Sequence, residues 1–187
     1  MKVLIKAIGI AVTAVALTGA ARMDTGVQRL LIHSSDATAR VEADTSIGRY
    51  YTLTYQLPAG LQSGRLERAI LELYVDVSVK VREEHLNEAP VLEVYALRAP
   101  YAGAFEAKDL DEGTRVVRPV TLGENRRVLF DITKIVRAYL TGTTGNNGLI
   151  VGSLTGMREG DFRLVPGKLA ADAVGQIRIY LRPANDR

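Results

Sequence analysis

The chain has no cysteine and no tryptophan, and only two histidines among its 187 residues. Without cysteine there is no disulfide, no thiolate metal site and no cysteine nucleophile. Stability must come from a core, and a chain of this length can bury one. The histidines, His33 and His85, stand in no metal-ligand spacing. His85 sits among Arg82, Glu83, Glu84 and Asn87 and reads as a solvated loop residue. No glycine-rich phosphate loop lies between a strand and a helix. The "VGSLTG" around Ser153 is not a nucleophile elbow, and no pair of carboxylates stands out for glycoside hydrolysis. Charge of one sign is lacking too: 24 basic residues face 21 acidic ones. That balance leaves no electrostatic footprint for nucleic acid.

Long apolar runs are scarce, and the one at the start of the chain is short. Lys2 and Lys6 flank the approach to an uncharged run at 7–17, followed by Thr18-Gly19-Ala20-Ala21. A positive end, an apolar middle and small residues at a cleavage point make a secretory signal pattern. The run falls short of the roughly 20 residues that a spanning helix needs. Cleavage after Ala21 puts Gly19 and Ala21 at the two positions that must be small; cleavage after Ala20 is nearly as good. An uncleaved N-terminal anchor is the alternative reading of residues 1–21. Their removal takes two lysines and no acid, which lowers the net charge to +1. Residues 22–187 are expected to form one domain, secreted or held at the cell surface.

What is present is alternation. Tyr51, Leu53, Tyr55 and Leu57 fall on one side of a strand, with Tyr50, Thr52, Thr54 and Gln56 on the other. Leu71, Leu73, Val75, Val77, Val79 and Val81 alternate with Glu72, Tyr74, Asp76, Ser78 and Lys80. Leu92, Val94 and Ala96 repeat the pattern, and so do Ile177, Ile179 and Leu181. A period of two marks strands with one buried face. Short strands separated by turn residues predict an all-β, antiparallel β-sandwich, jelly-roll-like, with one short helix between two late strands. That helix is expected over 133–140, where Ile135, Val136, Tyr139 and Leu140 share a face. Asp131 or Thr133 would cap it and Gly142 would end it.

The run "FDITKIVRAYLTGTTGNNGLIV", residues 130–151, joins strand, helix, loop and strand. Phe130, Asp131, Ile132, Thr133, Val136, Tyr139, Asn147, Gly148 and Leu149 resemble the pattern of the DNRLRE-domain family, which overlaps with carbohydrate-binding module family 96. Upstream, "YTLTYQLPAG" and "AILELYV" are similar to that family as well, so the resemblance spans roughly residues 45–182. Tyr139 stands where the family often has tryptophan. The resemblance implies a secreted, non-enzymatic β-sandwich, a module of extracellular and cell-surface proteins, some of which bind polysaccharide. Residues 130–151 would then be a sandwich crossover, with Asn146, Asn147 and Gly148 as a tight turn. Ligand contact by Asn146 and Asn147 is the other reading of that loop.

If the apolar residues face inward, Tyr50, Tyr74, Tyr95 and Tyr180 face outward, beside Asp76, Lys80, Glu93, Arg178 and Arg182. A tyrosine ring can stack on a pyranose while charges bond hydroxyls or uronate groups. Tyr74, Tyr95 and Tyr180 with Lys80, Arg178 and Arg182 are therefore the candidate sugar surface, suited to an anionic polysaccharide. Cross-strand pairing with no ligand is the bland alternative. Asp109, Asp111 and Glu112 offer oxygens of the kind Ca²⁺ takes; a solvated acidic turn is the competing reading, since about 6–8 oxygens must converge. No other cofactor is expected.

These patterns point to an exported, non-catalytic β-sandwich that binds polysaccharide or belongs to the cell surface, with no nucleic-acid partner and no membrane span once the leader is cleaved. The alternative is a structural subunit of an extracellular fibre or surface assembly. It would self-assemble by strand exchange, with "VQRLLIHS" at 27–34 completing a neighbour's sheet. The mature protein is expected to begin at Arg22 or Ala21 and to lie outside the cytoplasm. N-terminal sequencing that finds Met1 on cytoplasmic protein refutes this.

Overall fold

A computed structural model describes residues 28–33, 41–42, 49–77, 91–102, 106–152, 162–165 and 175–182. Residues 1–21, Val79, Lys80, Val81, His85 and Ser153 lie outside the described residues. In chain order the strands are β1 (Gln28–His33), β2 (Val41–Glu42), β3 (Arg49–Leu53), β4 (Leu66–Val77), β5 (Val91–Leu97), β6 (Leu110–Pro119) and β7 (Gly123–Asp131). Helix α1 (Thr133–Leu140) follows, then β8 (Leu149–Gly152), β9 (Phe162–Leu164) and β10 (Gly175–Leu181). The first sheet runs β1-β10-β4-β7, with β9 also pairing β4; the second runs β2-β3-β8-β5-β6. All eight pairings among the described residues are antiparallel. The fold is the all-β, antiparallel β-sandwich that the alternation predicts, with its helix between β7 and β8. Among the described residues no helix is long and apolar enough to cross a membrane.

Alternation builds the core between the sheets. Leu71, Leu73, Val75 and Val77 of β4 and Ile177, Ile179 and Leu181 of β10 meet Tyr51 and Leu53 of β3 and Leu92, Val94 and Ala96 of β5. Tyr51 sets its ring edge-on to Phe162, centroids 5.3 Å apart, a favoured aromatic geometry. Burying such side chains contributes roughly 1.5–3 kcal/mol each before the cost of ordering them.

Residues 130–151 carry the chain from β7 in the first sheet to β8 in the second. Phe130, Ile132, Ile135 and Val136 are buried beneath this crossover. The helix begins with Ile132 in the N-cap position, so neither expected residue holds that position itself. Asp131 Oδ1 nevertheless accepts the Thr133 N–H at 3.1 Å and its hydroxyl at 2.6 Å. The Thr133 hydroxyl oxygen in turn accepts the Ala69 N–H at 2.9 Å, which stitches the helix start to β4. At the other end Gly142 has φ +72°. Its N–H reaches the Tyr139 carbonyl and the Thr143 N–H reaches the Ala138 carbonyl. These are the two bonds of a Schellman motif, in which glycine takes the left-handed position.

The loop after the helix is consumed by the fold. Asn146 Nδ2 donates to the Tyr55 carbonyl at 2.9 Å, and Asn147 Nδ2 to the Arg98 carbonyl at 2.9 Å. The Tyr139 hydroxyl donates to the Gly148 carbonyl at 2.8 Å. Gly148 has φ +101°, and a Cβ there would lie 2.9 Å from the backbone oxygen of Leu53. At Gly142 a Cβ would meet open space. Gly142→Ala is therefore expected to cost only the left-handed penalty, about 1–2 kcal/mol. Gly148→Ala carries that penalty and a backbone clash, so it should cost clearly more. Urea unfolding of the two variants checks the order; equal losses would refute the close approach.

Candidate functional site

The core claims one face of each sheet; chemistry is left to the outer faces. On the first sheet, register sets Gln176, Glu72 and Leu129 side by side across β10, β4 and β7. Arg178, Ile70 and Asp131 form the next row, and Tyr180 lies opposite Arg68. Glu72 is 1% exposed although it points away from the core. A carboxylate so enclosed needs donors, and four converge on it. Arg127 Nε reaches Oε1 at 2.6 Å and the Tyr74 hydroxyl reaches it at 3.2 Å. Gln176 Nε2 reaches Oε2 at 2.7 Å, and Arg178 binds that same oxygen. Burial alone would raise the Glu72 carboxyl. The hydrogen bonds from Arg127 and Gln176, with the charges of Arg178 and Arg127, outweigh it and hold the group below the usual carboxylate range.

The second sheet repeats the motif in a sealed form. "LELY" at 71–74 recurs as "LEVY" at 92–95. Glu93 is fully buried, bound by Arg115 from β6 and by the Tyr95 hydroxyl at 3.2 Å. The neighbour on the other side differs. Where β10 offers Gln176 and Arg178 to β4, β8 sets Gly152 and Ile150 opposite Glu93 and Tyr95. Tyr95 therefore joins Tyr50, Leu97, Leu110 and Ile150 in a second apolar cluster, with Tyr101 packed against it. Burial pushes the Tyr50 phenol up to about 12 and also raises Tyr95.

The expected trio of outward tyrosines is thus divided. Tyr74 and Tyr180 are half-buried on the first sheet, while Tyr95 is 3% exposed on the second. The physical reason is that the outer face of the second sheet is apolar, so pointing outward there still means burial. Of the cations expected beside them, Arg178 lies on the first sheet with Tyr180. Lys80 is outside the described residues. Arg182 continues past β10, where its backbone bonds Arg65. Asn146 and Asn147 spend their amide groups on main-chain carbonyls, away from this face.

A groove of about 700 Å³ opens on the outer face of the first sheet. Ile70 and Leu129 give it an apolar floor, and Arg68, Arg118, Arg178 and Tyr180 stand around them with the carboxylates of Glu67 and Asp131. Arg118 comes from β6, the last strand of the second sheet, which touches β7 at the sandwich edge. Arg68 is held by Asp131 at 3.2 Å. The sequence reading missed Arg68, Arg118 and Glu72. A repeated glutamate inside strongly apolar strand runs was the available signal.

The acidic turn is locally engaged. Asp109 accepts the Glu106 N–H at 2.8 Å, and Asp111 accepts the Thr144 hydroxyl at 3.1 Å. Among the described residues no three His, Cys, Asp or Glu side chains converge as a metal set. No family model matches the chain, and no curated protein matches it.

Glu72→Gln leaves Arg127 and Arg178 without their carboxylate. A fully dry pair broken in this way loses about 3–5 kcal/mol; with Arg127 44% exposed, roughly 2–3 kcal/mol is expected here. The pH dependence has a definite sign. A depressed folded-state pKa means the unfolded chain binds more protons, so this stability is full above about pH 4.5 and drains away as pH falls through the folded value. Melting curves between neutral and acid pH should show a smaller acid loss in Glu72→Gln than in wild type. Asp76 and Asp131, also held low, keep part of the slope; parallel curves would refute the role given to Glu72.

Proposed function

We propose that the chain is an exported, non-catalytic β-sandwich that binds polysaccharide along the outer face of its first sheet. The groove beside Tyr180 carries the proposal. Its apolar floor of Ile70 and Leu129 and its phenol ring suit the C–H face of a sugar. Its guanidinium groups suit hydroxyl and acidic substituents. These are strand positions on β4, β6, β7 and β10, and so their backbone presents a preorganised surface. The resemblance of residues 130–151 to a polysaccharide-binding module family and the signal-like pattern of residues 1–21 support the same reading.

A structural subunit joined by strand exchange is the competing proposal, and one observation bears on it. β1 lies at the edge of the first sheet and pairs with β10 from Gln28↔Leu181 to His33↔Gln176. The segment that would be donated to a neighbour is engaged with its own chain, so exchange requires that ladder to open. Light scattering on the mature protein separates the two readings, because exchange gives a concentration-dependent assembly. For the binding reading, Tyr180→Ala is expected to weaken glycan binding by roughly 1–3 kcal/mol while the melting temperature stays nearly constant. A glycan array on which wild type and Tyr180→Ala behave alike overturns the assignment of the groove.

A further inference from the structure

Two arginines share one carboxylate in the floor beneath this groove. Glu72 carries a single negative charge, and Arg127 and Arg178 both bind it. Arg68 and Asp131 neutralise each other nearby. Arg118 and Glu67, which also line the groove, add one charge of each sign, so among the described residues one positive charge is left over, at a place where Arg178 has only 21% of its side chain exposed. A partly desolvated charge that must share its counterion is under-compensated, and an anion that reaches it is bound more strongly than at an open surface.

The two arginines are not equivalent. Arg127 stands opposite Tyr74, outside the groove wall; Arg178 is part of that wall. Arg178 is also the less satisfied. Its Nε is buried with no hydrogen-bond partner among the described residues, a loss of about 1–3 kcal/mol for a buried donor. Glu72, by contrast, is oversupplied. Without Arg178 it still accepts from Arg127, Gln176 and Tyr74. Turning away from Glu72 therefore leaves the carboxylate solvated by protein and lets the Arg178 guanidinium find a second acceptor.

We propose that Arg178 is an oxyanion seat: its guanidinium swings from Glu72 to a carboxylate or sulfate oxygen on a ligand lying in the groove, and Glu72 is the positioning residue that holds it when the groove is empty. This rests on the polysaccharide reading for the identity of the ligand, but the seat itself can be tested without a sugar. The groove then selects acidic glycans by one charge at one fixed position, and Tyr180 on the same strand supplies the stacking ring.

The experiment uses the mature full chain and four probes: inorganic sulfate, a uronic-acid trisaccharide, a sulfated trisaccharide and a neutral glucose trisaccharide. Sulfate is expected to shift the Arg178 Nε–H resonance of wild type. At least one acidic trisaccharide should bind better than the neutral one, less tightly as salt is added, and the two acidic arms tell uronate from sulfate. Arg178→Gln should lower acidic-probe affinity at least tenfold with little change in melting temperature, because Glu72 keeps three donors. Arg178→Lys, which keeps the charge, should restore part of the binding. A purely structural Arg178 predicts the reverse, a lower melting temperature with unchanged affinity. If sulfate leaves the resonance in place while a sugar binds wild type and Arg178→Gln alike, the seat is wrong and the polysaccharide reading stands. If sulfate shifts the resonance and no sugar binds, the seat stands and that reading falls. If neither occurs, both fall.

Discussion

A carboxylate enclosed on the outer face of a sheet constrains everything around it. Glu72 can remain charged only if donors arrive from both neighbouring strands, and they do: Arg127 from β7, Gln176 and Arg178 from β10. Those donors sit on alternate positions. A slip of one residue in either pairing would turn them into the core and bring Val128 or Ile177 to the outer face. The ion cluster therefore reads out the register of three strands at once. It says the same thing as the inward series Leu71, Leu73 and Val75, whose burial depends on that same register. Apolar and ionic preferences that agree at one strand leave few competing pairings.

The crossover at residues 130–151 meets a similar demand with backbone in place of charge. A chain leaving one sheet for the other exposes helix ends and turn amides that the ladders no longer satisfy. Asp131, Thr133, Tyr139, Asn146 and Asn147 each supply a partner to such a group. This explains why so specific a stretch contains so little free chemistry. Those side chains face main chain, and the loop joins the exits of β3 and β5 to the start of β8. Asp131 has a second duty, because its other carboxylate oxygen holds Arg68 at the groove. The corner and the groove wall thereby share one residue.

Much of the fold was legible because period-two alternation is a local signal. Leu71 to Val77, Leu92 to Ala96 and Ile177 to Leu181 all point where their spacing says. The helix and its terminal Gly142 were legible for the same reason. The site was not, since alternation tells inside from outside and cannot tell which outside faces water. Tyr74 and Tyr95 occupy equivalent places in the repeated "LE-x-Y". One is half open and the other sealed: β7 sets Arg127 opposite Tyr74, whereas β8 sets Ile150 opposite Tyr95. Both partners are about fifty-five residues distant in sequence. Arg68 and Arg118 join the groove by the same long-range pairing, so no local window could have assembled them with Tyr180.

The two outer faces resolve one problem in opposite ways. On the second sheet, Ile150, Tyr50 and Leu97 close over the motif, and one arginine suffices for Glu93. There the charges balance and the ring is spent on packing. On the first sheet, polar Gln176 stands opposite Glu72 where Gly152 stands opposite Glu93, and Arg178, opposite Ile70, enters as a second arginine. The balance tips to positive on the face that also keeps Leu129 exposed beside the buried Ile70. A sheet built only for stability would do better with the sealed version, because an apolar cover adds burial and a balanced pair avoids a stranded charge. The open face gives up both, and what it keeps in return is a ring, an apolar strip and one unneutralised cation within a single groove.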